Sequence, residues 1–169
     1  EMARDMAQRF NHLFGETLVI PAPQIRDDVA TVPGLDGQKM SKSYNNTIEI
    51  FLPPKKLRKK IMGIVTDSKG VDESKDPDTC HVFSLYKLFA TPEQQAELAA
   101  QYRAGGLGYG HAKQALFEVV DAQLAEARER YDHLMANPDE VRQVLAEGAD
   151  RARTTARATL DRVRSAAGL

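Results

Sequence analysis

A chain of 169 residues, 42% hydrophobic and 28% charged, can bury a real core but holds no more than one ordinary domain, or a small domain with part of another. No segment approaches the roughly 20 apolar residues needed to cross a bilayer, the single cysteine, Cys80, excludes an internal disulfide, and no Cys/His cluster has zinc spacing. A protein of the reducing cytoplasm, with no structural metal and no membrane association, is the expectation. The net charge of −1 conceals two basic clusters, Lys55, Lys56, Arg58, Lys59 and Lys60 in one and Arg142, Arg151, Arg153, Arg157, Arg162 and Arg164 in the other. Local patches of this kind, rather than the summed charge, mark a nucleic-acid binder.

In chain order, Met2, Met6, Phe10 and Leu13 recur at helical spacing and predict an amphipathic helix over residues 2–14 that Gly15 closes. Leu18-Val19-Ile20 is a short β-prone run before two prolines, and reads as the last strand of a sheet whose other strands would lie upstream. The Pro-, Gly-, Asp- and Ser-rich stretch 24–46 reads as loop, and Thr47 to Phe51 as a short extended piece. Pro53-Pro54 starts a short helix that Gly63 ends, and the polar run 67–78 reads as a mobile connection. Four further helices are predicted at about 79–90, 92–104, 110–136 and 138–167, separated by Pro92, Gly105-Gly106 and Asn137-Pro138.

Within the loop, Lys39-Met40-Ser41-Lys42-Ser43 places two ammonium groups three residues apart with hydroxyls between them. Lysine supplies point charge and rotatable donors, serine adds neutral donors, and Gly34 and Gly37 let backbone approach an anion, so the set suits a polyphosphate. The lysines at 55–60 fit a short helix with Leu57 and Ile61 inward and the charges in water, or else a contact with RNA phosphates. His111 has no sequence-adjacent carboxylate or thiol and reads as a helix-start residue, and Cys80 as buried and inert. In the final helix, at about 100° per residue, Arg142, Arg153, Arg157 and Arg164 fall in one stripe while Val141, Leu145, Ala152, Ala156 and Val163 centre on a different face, predicted to pack.

The run Leu35 to Tyr44 resembles the signature loop of class I aminoacyl-tRNA synthetases, and most of all that of the tryptophanyl family. The opening Glu1 to Asn11, the segment Tyr109 to Glu118 and the arginine-rich end are similar to the same family, so the resemblance covers nearly the whole chain. A second class I signature, of His-Ile-Gly-His type, does not occur in these residues; His12, His81, His111 and His133 stand singly. The expectation is a C-terminal piece of a longer protein.

The fold the resemblance implies is mainly α: a helical anticodon-binding domain over residues 51–169 attached to a C-terminal remnant, residues 1–50, of a Rossmann-like α/β catalytic domain. The implied activity is ATP-dependent activation of tryptophan and its transfer to tRNA(Trp), with Mg2+ accompanying ATP. Lys42 and, in support, Lys39 would be catalytic, and Lys39, Met40, Ser41, Lys42 and Ser43 would bind ATP, with Val29 and Ala30 offering backbone to the adenine. Arg142, Arg153, Arg157 and Arg164 are the tRNA-binding candidates. A homodimer is implied for the intact enzyme, while the isolated chain is expected to be inactive and its loop mobile. Two alternatives stay open: a tyrosyl-type synthetase fragment and a non-catalytic RNA-binding helical module.

Overall fold

The computed structural model describes residues 1–25 and 31–169. Among them the regular structure is helical: α1 (Met2–Phe14), α2 (Pro54–Met62), α3 (His81–Tyr86), α4 (Pro92–Ala104), α5 (Tyr109–Ala136) and α6 (Pro138–Ala167), with single 3-10 turns at Lys42–Tyr44 and Pro77–Thr79. The mainly α expectation holds. The helix starts follow local chemistry. Prolines occupy the first turns of α2, α4 and α6, where a missing N–H costs nothing. At α4, Thr91 and Gln94 complete a reciprocal capping box.

The chain divides into two compact units, Glu1–Arg26 with Leu134–Leu169, and Asp27–His133. The core of the second unit is built from Leu57 and Ile61 of α2, Ile64, the α3 residues Val82, Phe83, Leu85 and Tyr86, the α4 residues Leu98 and Tyr102, and Leu116 and Val120 of α5. Each fully buried aliphatic side chain here contributes about 1.5–3 kcal/mol. The rings of Phe83 and Tyr102 meet edge to face at 5.6 Å, and Tyr102 meets Tyr109 at 6.4 Å.

Two expectations are corrected, and one run shows an unexpected centre. The run Leu18 to Ile20 forms no strand: Val19 is exposed, and the backbone of Leu18 is satisfied by Asn11, whose side-chain oxygen accepts from Leu18 N–H (2.9 Å) and whose amide donates to Leu18 C=O (2.7 Å). A side chain takes the place of a neighbouring strand. α3 is shorter than predicted, because after Tyr86 the chain tightens into three-residue bonds, Leu88 N–H to Leu85 C=O and Phe89 N–H to Tyr86 C=O. The run 67–78 is wound around Lys75, which is 2% exposed and donates through Nζ to the carbonyls of Gly70 (2.6 Å), Glu73 (2.9 Å) and Val71 (3.3 Å). That ammonium also lies 5.4 Å from the centre of the Tyr109 ring.

In the first unit, α6 has no fully buried residue, and its predicted packing face is open along most of its length: Val141 and Leu145 are exposed, as are Ala152 and Ala156, and only Val163 of the five is half-buried. Near the C-terminal end Val163, Ala166 and Ala167 are half-buried, and Asp161, Arg162 and Ser165 border a cleft shared with Glu16 and Thr17.

Candidate functional site: a lysine loop on a fastened base

The loop begins as a tight reversal. Met40 N–H donates to Val32 C=O (2.8 Å) and Gly34 N–H to Gln38 C=O (2.7 Å), and the turn between them carries Asp36-Gly37. Gly37 has φ +82°, a conformation that residues with a Cβ rarely adopt. The Asp36 carboxylate accepts from Gln38 N–H at 3.0 Å, the local bond that makes Asp-Gly a turn signal.

From Met40 the chain passes into the 3-10 turn Lys42–Tyr44, capped by Ser41, whose Oγ accepts from Ser43 N–H at 3.3 Å. Asn45 ends the turn in the left-handed region, φ +52°. Ser41 therefore shapes the backbone on which Lys42 and Ser43 stand. Lys39, Lys42 and Ser43 are exposed, while Met40 and Ser41 are half-buried.

What holds this together is a residue outside the motif. Asn46 is 3% exposed and uses both ends of its amide. Its oxygen accepts from Ser41 N–H (2.8 Å), and its nitrogen donates to the Asp36 carboxylate (2.8 Å) and to Lys39 C=O (3.2 Å). Its own backbone carbonyl accepts from Leu35 N–H at 3.0 Å. One side chain thus joins the turn, the first lysine and the cap of the second. Gly34 is required beside it, since a Cβ there would sit 2.5 Å from Asn46 Cγ and 2.7 Å from its carbonyl oxygen. The Asn46 bond, aided by Gln38 N–H and by nearby His81, holds the Asp36 carboxyl below its ordinary value.

The base is tied to the helices in three places. Leu35 packs against the core and accepts from Val65 N–H at 2.8 Å. Lys60 Nζ donates to Thr47 C=O (2.9 Å) and pairs with Glu49, whose carboxyl is lowered by that bond. Gly37 lies against the imidazole of His81, the first residue of α3. Buried hydrogen bonds rather than the lysines hold this base.

The remaining candidates are dispersed. Val29 and Ala30 lie outside the described residues. In the 55–60 cluster Leu57 and Ile61 are fully buried, Arg58 donates to Gln114 (3.0 Å), and Lys55, Lys56 and Lys59 face solvent. His111 stands exposed in the first turn of α5, and Cys80 is buried with Sγ 3.4 Å from the Tyr102 hydroxyl. Arg142, Arg153, Arg157 and Arg164 are all exposed on α6; Arg142 pairs with Asp139 and Arg153 with Asp150, each one turn back. Asn46 and His81 were missed from sequence. An Asn following a turn-rich, Asp-Gly-containing run was the available signal for the first, and nothing local distinguished the second. No group of acidic, His and Cys side chains fit to hold a metal ion occurs among the described residues, and no described helix is long and apolar enough to cross a membrane.

Residues 1–125 match the family described as tRNA synthetases class I (W and Y). Over 169 residues the chain is 52% identical to the tryptophan--tRNA ligase of Rhodopirellula baltica, covering all of this chain and 53% of the relative. It is 51% identical over 172 residues to that of Pseudomonas aeruginosa, covering 38% of it. Among solved structures, the tryptophanyl-tRNA synthetase of Campylobacter jejuni complexed with ADP and tryptophan superposes with a TM-score of 0.81 at 42% identity, over 98% of this chain and 52% of that one. The chain spans about half the length, or less, of the relatives it matches. With a signature loop, a helical fold and a family match over most of its residues, the chain belongs to the class I tRNA synthetases of the tryptophan and tyrosine group.

Proposed function

We propose that the chain supplies the ATP-phosphate loop and tRNA-binding helices of a tryptophan–tRNA ligase, as its C-terminal part. In that enzyme the tryptophan carboxylate attacks the α-phosphate of ATP, forming tryptophanyl-adenylate and releasing pyrophosphate, and the tryptophanyl group then passes to tRNA(Trp). The observation that carries the reading is the pair Lys39 and Lys42, exposed on a backbone that Asn46 and Ser41 hold in one shape. Charge grows on the departing pyrophosphate, so a pre-positioned ammonium stabilises the transition state more than the ground state. Lys42 takes that role. Lys39 supports it, Ser41 and Ser43 order the loop or contact phosphate, and Met40 packs or offers its backbone to the nucleotide. Mg2+ travels with ATP as substrate.

Residues 1–50 are assigned to the catalytic domain and residues 51–169 to the tRNA-binding domain, with Arg142, Arg153, Arg157 and Arg164 as the tRNA contacts. An unstacked anticodon loop offers phosphates and base faces that arginine can pair with and stack on. Tryptophan is favoured over tyrosine because the relatives named above are tryptophan ligases. Homodimeric assembly and cytoplasmic residence complete the proposal. The 169 residues alone, lacking a His-Ile-Gly-His element, are assigned no activity of their own.

The test is tryptophan-dependent exchange of pyrophosphate into ATP by the full-length protein and by its Lys42→Ala variant. Loss of exchange with tRNA binding retained supports the ligase. Unchanged exchange would remove Lys42 from the catalytic role, and no exchange in the wild type with tRNA binding kept would instead favour a helical RNA-binding module with a vestigial loop.

A further inference from the structure

Gly37 and His81 are far apart in the chain, yet they touch. A Cβ placed on Gly37 would fall inside contact distance of His81 Nε2, 2.5 Å from Cδ2 and 2.7 Å from Cε1, so the imidazole edge fills the space where a side chain at 37 would be. His81 is the first residue of α3, a helix whose Val82, Phe83, Leu85 and Tyr86 are all buried in the core of the unit. Its backbone position is therefore fixed by packing, not by the loop. On the loop side, Gly37 N–H donates to Gly34 C=O at 3.1 Å, and the adjoining Asp36 carboxylate holds the Asn46 amide that in turn binds Lys39 C=O and Ser41 N–H. A displacement of the turn at 36–37 is passed through one side chain to both lysine-bearing positions.

The imidazole also borders a cavity of about 240 Å3, lined further by Val65, Thr66, Asp67, Thr79, Cys80 and Tyr109. The Asp67 carboxylate there accepts from the Tyr109 hydroxyl at 2.7 Å. His81 thus has Gly37 against it and open space beside it.

We propose that His81 is a positioning residue for the ATP loop: its imidazole, carried on the buried helix α3, sets the turn at Asp36-Gly37 and through Asn46 the placement of Lys39 and Lys42. The proposal rests on the reading of the loop as the ATP-phosphate site and adds to it the helix that aims it. His81 touches no reacting atom and acts through Gly37. Its contact with Gly37 reaches the lysine loop, so its effect is read on ATP.

The experiment uses the full-length protein and pyrophosphate exchange, with KM for ATP, KM for tryptophan and kcat measured separately for wild type, Lys42→Ala, His81→Ala and His81→Gln. Because small misplacements of a positioning group cost about tenfold to a hundredfold, His81→Ala is expected to raise KM for ATP or lower kcat by about tenfold with KM for tryptophan unchanged. His81→Gln, which keeps bulk and a polar end against Gly37, restores most of the loss. Gly37→Ala is expected to be harmful alone and less harmful in the His81→Ala background, since part of its cost is the clash with the ring. Wild-type kinetics for ATP in His81→Ala, with Lys42→Ala inactive, would overturn the inference while leaving the reading of the loop intact. A parallel loss of ATP and tryptophan affinity, the mark of a side chain that merely stabilises the fold, would overturn it too. Absence of tryptophan-dependent exchange in the wild type removes the reading and the inference together.

Discussion

The lysine loop and the arginine helix α6 both present cations to solvent, but they hold them by different means. In the loop, Lys39 and Lys42 stand on backbone fixed by a nearly fully buried amide, a 3-10 cap and a leucine packed in the core, so their positions depend on residues spread over the second compact unit. On α6 the arginines are placed by helical periodicity alone, with ion pairs only one turn away and no fully buried residue on the helix. A site that must meet one phosphate chain in one geometry gains from the first arrangement. A surface that follows a flexible polyanion tolerates the second. Mutations should therefore act at a distance in the loop and only locally on α6.

The largest expected effect is at the loop's tip. Lys42→Ala should lower the rate of adenylate formation about 10²- to 10³-fold, as for removal of one preorganised transition-state donor, with the thermal unfolding midpoint unchanged; single-turnover formation of tryptophanyl-adenylate measures it. Next comes the buried fastening. Asn46→Ala leaves Ser41 N–H without its partner and should cost about 1–3 kcal/mol in stability, read by denaturant unfolding, together with a raised KM for ATP. If Asn46→Ala proves as harmless as a surface change, the contrast between the two regions fails.

On α6 the prediction is the reverse. Replacing Arg153 and Arg157 by alanine should shift stability by less than about 0.5 kcal/mol, yet weaken tRNA binding and flatten its salt dependence by about one unit of slope for every phosphate left without a cation. Filter binding across a salt series reads this out. A loss of stability as large as that of Asn46→Ala would mean that the arginines are structural.

The smallest effect is acidic. The Asp36 carboxyl is lowered in the folded state, so its contribution to stability is present above the ordinary carboxylate value of 3.8 and is lost as pH falls below it through the depressed value. Wild type should therefore lose slightly more stability than Asp36→Asn between about pH 5 and about pH 3, in thermal unfolding at matched ionic strength.

How much of this was legible in the sequence follows the same division. Helices announced by Pro and Gly at their ends were readable to within a residue or two, because those residues act through local backbone geometry that needs no partner. The lysine motif was visible for the same reason, its residues being five consecutive positions. Asn46 and Lys75 were not. A polar residue in a polar run is ordinarily solvated, and both are buried because the run before each folds back on it, Gly70, Val71 and Glu73 around Lys75 and Asp36, Lys39 and Ser41 around Asn46. The strand expected at Leu18 to Ile20 failed in the same way: its β-branched composition was real, but Asn11 satisfied the backbone that a sheet would have used. The apolar stripe of α6 was correctly periodic, though periodicity says where a face lies and not what covers it.

Lys75 has one more consequence, for the chemistry of labelling. An amine reagent needs an exposed nitrogen, and Lys75 Nζ is instead enclosed by three carbonyls and the Tyr109 ring. Lys55, Lys56 and Lys59 are open to such a reagent in the native protein. Lys75 becomes available only when the wrap of residues 70–75 comes undone. Its acylation rate, followed by peptide mass against those surface lysines as an internal standard, makes the residue a built-in clock for opening of the helical unit, reporting the population of the open form where reclosing is fast.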